Sequence, residues 1–208
     1  MVAGPLILFS PLIYLAYRQT RKRTRGLQHV CEALGFTFED RVRELGARFG
    51  EFPQFARGGR YNEGANLMTG SLAGHPVTVM DHYYGSGRSG YRTTLAVFPD
   101  GAKGLPDFEL APEHATDRIL SAFGYQDSDF SADEEFSKYY LLRGKDEAAI
   151  RRAFGPTTLA FFAANRGWSV QTRGGAEAIY RDNRLCKPAE VPSFLAEALK
   201  VLGAFTQG

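Results

Sequence analysis

The chain has 208 residues, 44% hydrophobic and 23% charged, an ordinary globular composition that can fill the core of one substantial domain or of two small ones sharing a sheet. Its charge is unevenly placed: residues 1–25 carry five basic and no acidic side chains, leaving 20 basic against 23 acidic, a net of −3, from Gly26 onward. A body of net −3 without an aromatic-basic motif excludes nucleic-acid binding, which needs a basic stripe on the folded part.

Met1 to Tyr17 contain no charged side chain, and Arg18, Arg21, Lys22, Arg23 and Arg25 follow at once. A secretory signal carries its charge before the apolar run and a small-residue cleavage site after it, so this order predicts an anchor that stays on the chain. Basic residues favour the cytoplasmic side, which predicts a single-pass protein of the bacterial inner membrane with a cytoplasmic body. The span is short: Val2 to Tyr17 reaches about 24 Å at roughly 1.5 Å per residue, against a hydrocarbon core of about 30 Å. Snorkelling Arg and Lys stems, interfacial Tyr14 and Tyr17, and a neighbouring protein can cover the deficit. Pro11 removes a backbone hydrogen bond, which is best tolerated where an adjacent helix satisfies the freed carbonyl. Leu6, Phe9, Pro11, Tyr14, Tyr17, Arg18, Arg21, Lys22, Arg23 and Arg25 are therefore the candidate contacts. Their expected partners are an integral membrane protein complex and anionic lipid headgroups. Residues 1–25 form the anchor and 26–208 the body, with a sub-boundary considered near 113–125.

Leu27, Val30, Cys31 and Leu34 recur at helical spacing and Gly35 follows as a cap, so the anchor is expected to continue into this stripe. Residues 46–64 mix glycines, aromatics and a proline, as in a packed irregular connection. The period then becomes that of strands at Asn66 to Ala73, Pro76 to Tyr84, Tyr91 to Phe98 and Phe108 to Ala111. A helix is expected from Glu113 to Phe123, capped by Gly124, and a strand from Phe136 to Leu142. Asp146 caps a helix to Phe154, and Gly155-Pro156 ends it and opens another through Ala164. Trp168 to Thr172 and Ala178 to Asp182 form a hairpin about Gly174-Gly175. The last helix aligns Val191, Leu195, Ala198, Leu202 and Phe205. This order predicts an α+β fold, a membrane helix followed by a largely antiparallel sheet with packed helices.

No motif supplies a catalytic constellation, cofactor site or metal site. Gly85-Ser-Gly-Arg-Ser-Gly90 spells a dinucleotide fingerprint, but a strand pattern follows where a helix N-terminus must receive the pyrophosphate. Asp127 to Glu135 resembles a calcium loop with Ala132 where the turn needs Gly and Lys138 where the bidentate Glu belongs. Asp81 and His82 are neighbours on a strand and point to opposite faces, with Arg92 as an expected cross-strand partner. Cys31 and Cys186, the two cysteines, read as buried hydrophobes.

Leu105-Pro-Asp-Phe-Glu-Leu-Ala-Pro-Glu113, Asp127-Ser-Asp-Phe130 and Phe136-Ser-Lys-Tyr-Tyr-Leu-Leu-Arg-Gly-Lys-Asp146 resemble a widespread set of bacterial proteins with an N-terminal anchor and no assigned activity. The resemblance covers roughly residues 50–205 and implies a cytoplasm-facing body, with no site residues to carry over. The expected function is a non-enzymatic accessory or scaffolding subunit tethered to a larger membrane assembly, with photosynthetic and respiratory complexes the first place to look. The competing class is a membrane-tethered enzyme or ligand-binding module acting on lipid or envelope precursors, with a pocket around His82, Tyr84 and Arg92.

Overall fold

Helix α1, Leu6–Leu34, runs unbroken from the apolar run through the basic run into the Leu27–Leu34 stripe, in a computed structural model that describes residues 6–56, 61–86, 89–113 and 134–205. The helix crosses residue 25 without a break, so anchor and body share one element. Gly35 ends it at φ 68°. The Gly35 N–H donates to the Glu32 carbonyl at 3.1 Å and the Phe36 N–H to the Cys31 carbonyl at 2.9 Å, which satisfies the last carbonyls.

Among the described residues no helix is long and apolar enough to cross a membrane. The described part of α1 therefore lacks the length of apolar helix that a single-pass anchor needs, and the reason is the position of the charges. A window of 18 residues opening at Leu6 already takes in Arg18, Arg21, Lys22 and Arg23.

Eight strands form one sheet in the order β1-β2-β3-β4-β8-β7-β5-β6, and all its pairings are antiparallel. They are β1 Thr37–Val42, β2 Tyr61–Leu72, β3 His75–Ser86, β4 Ser89–Phe98, β5 Phe108–Pro112, β6 Tyr140–Gly144, β7 Ser169–Arg173 and β8 Ala176–Tyr180. Among the described residues the helices after α1 are α2 Leu45–Phe49, α3 Pro53–Ala56, α4 Glu134–Ser137, α5 Glu147–Ala153, α6 Pro156–Ala164 and α7 Val191–Gly203, with a 3-10 turn at Pro188–Glu190. The α+β class and the antiparallel sheet follow the sequence pattern.

Alternation along each strand separates two cores. On one face Val77, Val79, Ala96, Phe98, Leu110, Val170 and Ile179 meet Leu27 and Cys31 of α1 and Leu195, Ala198 and Val201 of α7. On the other, Leu67, Met80, Leu95, Val97 and Tyr180 meet Phe49, Phe52 and Phe55. The aromatic connection expected at 46–64 thus begins with two short helices, α2 and α3, that roof the second face, and ends in the first residues of β2. The hairpin at Gly174-Gly175 turns with φ 57° and 88°, closing Arg173 against Ala176, a turn that only a pair of positive-φ residues makes.

Two expectations need correction. Strand β1 has no counterpart in the sequence reading, because Glu39, Asp40 and Arg41 interrupt its apolar alternation, as suits an edge strand that must not recruit another. Phe136 belongs to α4 and the strand begins at Tyr140; the Phe136 ring stacks on Tyr140 at 5.3 Å, a contact that a helical turn makes. The helix expected after Glu113, the acidic loop from Asp127 to Asp133 and most of the sub-boundary near 113–125 lie outside the described residues.

Candidate functional site

The base of α1 is fixed to the sheet by a buried polar knot. Residue 66 sits where the β2–β3 register shifts between Ala65 and Met68, with φ 53°, and this bulge carries the Asn66 side chain to Asp81 on β3. Asp81 is 1% exposed. Its Oδ2 accepts from Arg23 Nε at 2.8 Å and Asn66 Nδ2 at 2.8 Å. Its Oδ1 accepts from Arg23 Nη2 at 2.7 Å and Thr94 Oγ1 at 2.8 Å. Arg23 Nη1 donates to the Cys186 carbonyl at 2.6 Å, and the Cys186 N–H donates to Thr94 Oγ1 at 3.0 Å.

A fork-on-carboxylate pair with both oxygens doubly engaged is the geometry in which a buried charge is tolerated. Burial alone would lower Arg23, but the hydrogen bonds and charge of Asp81 outweigh it and hold the guanidinium above its ordinary value. Tyr83 on the same face is pushed up by burial and then by Asp81. Four protein donors hold Asp81, so it is spoken for by the fold and is placed poorly for proton transfer to a substrate. A turn further along α1, a Cβ on Gly26 would lie 2.9 Å from Pro188 Cγ, so the missing side chain lets helix and 3-10 turn meet.

Of the ten candidate contacts, Arg23 is committed to this knot. Pro11, Tyr14, Tyr17, Arg18, Arg21, Lys22 and Arg25 are exposed, and Leu6 and Phe9 lie in α1 with side chains outside the described set. Ile13 and Tyr14 keep 65% and 60% of their surface in solvent, an unusual exposure for large apolar groups. The Arg18 guanidinium stands 5.8 Å from the Tyr14 ring and that of Arg21 5.0 Å from Tyr17. The groove that Leu15, Tyr17, Arg18, Gln19, Arg21, Lys22 and Arg25 line is built from one helix, an open strip rather than a cavity.

The Asp81–His82 pair divides as the strand period requires. His82 lies on the opposite face, 1% exposed, its ring 4.9 Å from Phe55 and 6.3 Å from Tyr91. Asn62 Nδ2 donates to the Gln54 and Phe55 carbonyls at 3.1 and 3.2 Å, so its Oδ1 faces His82 Nε2 at 2.7 Å and makes that nitrogen the donor. Burial pushes His82 down to about 4 and keeps it neutral. Arg92 pairs with Tyr83, on the face that His82 and Tyr84 do not share, so it cannot line a pocket with them, and Asp81 takes Arg23 where Arg92 was expected.

Gly85 pairs with Gly90 and Ser86 with Ser89, so the glycine-rich run is a hairpin arm and not a helix start. Cys31 and Cys186 are free and buried. A second buried polar group joins β5, β7 and β8, where Gln171 Nε2 donates to Glu109 Oε1 at 2.9 Å and to Tyr180 Oη at 3.0 Å. Glu177 is different. It is fully buried, its oxygens meet no hydrogen-bond partner among the described residues, and burial pushes it up to about 8.

These features define an α+β protein built on one antiparallel sheet, with a long N-terminal helix locked at its base and bare beyond it. No family model and no curated protein matches the chain. Among solved structures it is similar to the mycobacterial trehalose monomycolate transport factor A, TtfA, with a TM-score of 0.62 and 14% identity over 89% of this chain and 93% of that one. At that identity the likeness is one of fold.

Proposed function

We propose that this chain is a non-enzymatic accessory factor of a bacterial membrane assembly that handles envelope lipid, held to it by the outer half of α1 with the body on the cytoplasmic side. The observation that carries the reading is the contrast along one helix. From Arg23 onward α1 is part of the fold, while Ile13, Tyr14, Leu15 and Tyr17 are exposed apolar groups beyond it. Such groups repay exposure only when a membrane or a protein covers them. The fold is shared over 89% of this chain with TtfA, a trehalose monomycolate transport factor. That likeness supports the envelope-lipid side of the sequence reading and lends nothing to a photosynthetic or respiratory complex.

The test is co-purification from mild detergent, with the full chain as bait. A membrane lipid transporter recovered in fixed ratio, and lost when residues 1–17 are deleted, is the expected result. A reporter fused after Gly208 should be active only if it works in the cytoplasm. Recovery unchanged by the deletion would move the interface to the body, and catalytic turnover of a lipid precursor by the purified chain would overturn the non-enzymatic reading.

A further inference from the structure

The four exposed cations of α1, Arg18, Arg21, Lys22 and Arg25, stand at i, i+3, i+4 and i+7, which places them on one face of the helix. Tyr14, four residues before Arg18, extends the same stripe. The body lies on the other side: Arg23, Leu27, Val30, Cys31 and Leu34 face the sheet, and at 3.6 residues per turn their stripe is opposite the cationic one. The Arg23–Asp81 pair and the Gly26–Pro188 contact prevent α1 from rolling about its axis. No acidic residue precedes Glu32 in the chain. None of the four cations meets a carboxylate among the described residues.

A helix that crosses a bilayer end-on has no use for a one-sided basic stripe, whereas a helix lying on an anionic surface needs one. From this placement we infer that the Tyr14–Arg25 face of α1 lies along the headgroups of an anionic phospholipid leaflet, with the body behind it. The stripe is about 16 Å long at roughly 1.5 Å per residue, enough to touch several headgroups at once. Tyr14 and Tyr17 sit at the level of the headgroups. This rests on the membrane-docked reading above and adds to it the ligand, an anionic lipid surface, and the side of the protein that meets it.

Flotation of the full chain with vesicles tests the placement. Phosphatidylcholine vesicles containing phosphatidylglycerol should carry the chain, and pure phosphatidylcholine vesicles should carry far less, with binding that weakens as salt rises. Changing Arg18, Arg21, Lys22 and Arg25 together to Gln should weaken binding about several-hundredfold, or about fivefold for each cation. The same number of charges removed from Arg41, Lys138, Arg152 and Lys200, all exposed and outside α1, should change little. A third variant, R18Q/Q19R/T20R/R21T, keeps the charge of the helix and moves two cations off the stripe; it should bind much less well than the native chain. Equal binding to neutral and anionic vesicles, or an undiminished quadruple Gln variant, would overturn the inference. So would a charge-moved variant that binds like the native chain. A native chain that ignores anionic vesicles yet still co-purifies with a membrane transporter would refute the lipid contact and leave the accessory-factor reading standing. The reverse pattern would leave the lipid contact and refute the partner.

Discussion

Asp81 is the residue on which the N-terminal helix depends, because a carboxylate 1% exposed cannot turn to water when its guanidinium is taken away. Arg23→Met should therefore cost about 3–5 kcal/mol, the usual penalty for removing one partner of a buried pair. Adding Asp81→Asn should return part of that loss by removing the orphaned charge. Urea denaturation of the two single variants and the double one measures the coupling. Glu177 makes the opposite statement, being a carboxyl that the fold keeps protonated. Its value near 8 lies above the 4.5 of the free side chain, so between those limits the native state holds a proton that the unfolded chain has released. The stability it allows is complete below about pH 4.5, falls as pH rises, and is fully lost above about pH 8. Glu177→Gln should accordingly gain on the native protein as pH is raised through that window and match it most closely near pH 4.5, in melts run side by side.

At the scale of elements, the glycine within α1 inverts an ordinary expectation. Replacing a helix-interior glycine with a better helix former gains up to about 1 kcal/mol by propensity. At Gly26 the new side chain meets Pro188, so Gly26→Leu should instead cost about 1–3 kcal/mol through overpacking and raise hydrogen exchange in α1 beyond Arg23. Much of this architecture was legible beforehand. Gly35 as a cap, Asp146 as an N-cap accepting from Ala149 N–H at 2.9 Å, the Gly174-Gly175 turn and the apolar stripe of α7 are local patterns that chemistry enforces within a few residues. The knot was not legible, because its parts are far apart: Arg23 lies 58 residues from Asp81 and 163 from Cys186. Only the oddity of an Asp following Val77 and Val79 on one strand face hinted at a buried partner, and Arg23 read as one basic residue among five. Asn66 was hidden for another reason, since its role depends on a bulge that no periodicity announces.

For the molecule as a whole, the division of α1 sets what can be cut away. Residues 11–22 are exposed where they are described, so deleting residues 1–17 should leave the melting temperature of the body within a few degrees of the intact chain. Deleting residues 1–25 removes Arg23 as well, leaves Asp81 uncompensated, and should lower the melting temperature well beyond that. Circular dichroism melts of both truncations decide between a boundary before the knot and one after it.

The separation of 163 positions between Arg23 and its Cys186 partner also forms a clock. At roughly 5–20 residues per second, synthesis of that stretch takes on the order of ten seconds or more. During that interval α1 has left the ribosome while the strap that locks it has not been made. The basic stripe is thus free to find a membrane as a loose peptide, and the finished body later converts it into a fixed lever. Ribosome-bound chains stalled short of Cys186 should already float with phosphatidylglycerol vesicles, while exchange protection around Arg23 should appear only in chains long enough to supply residue 186.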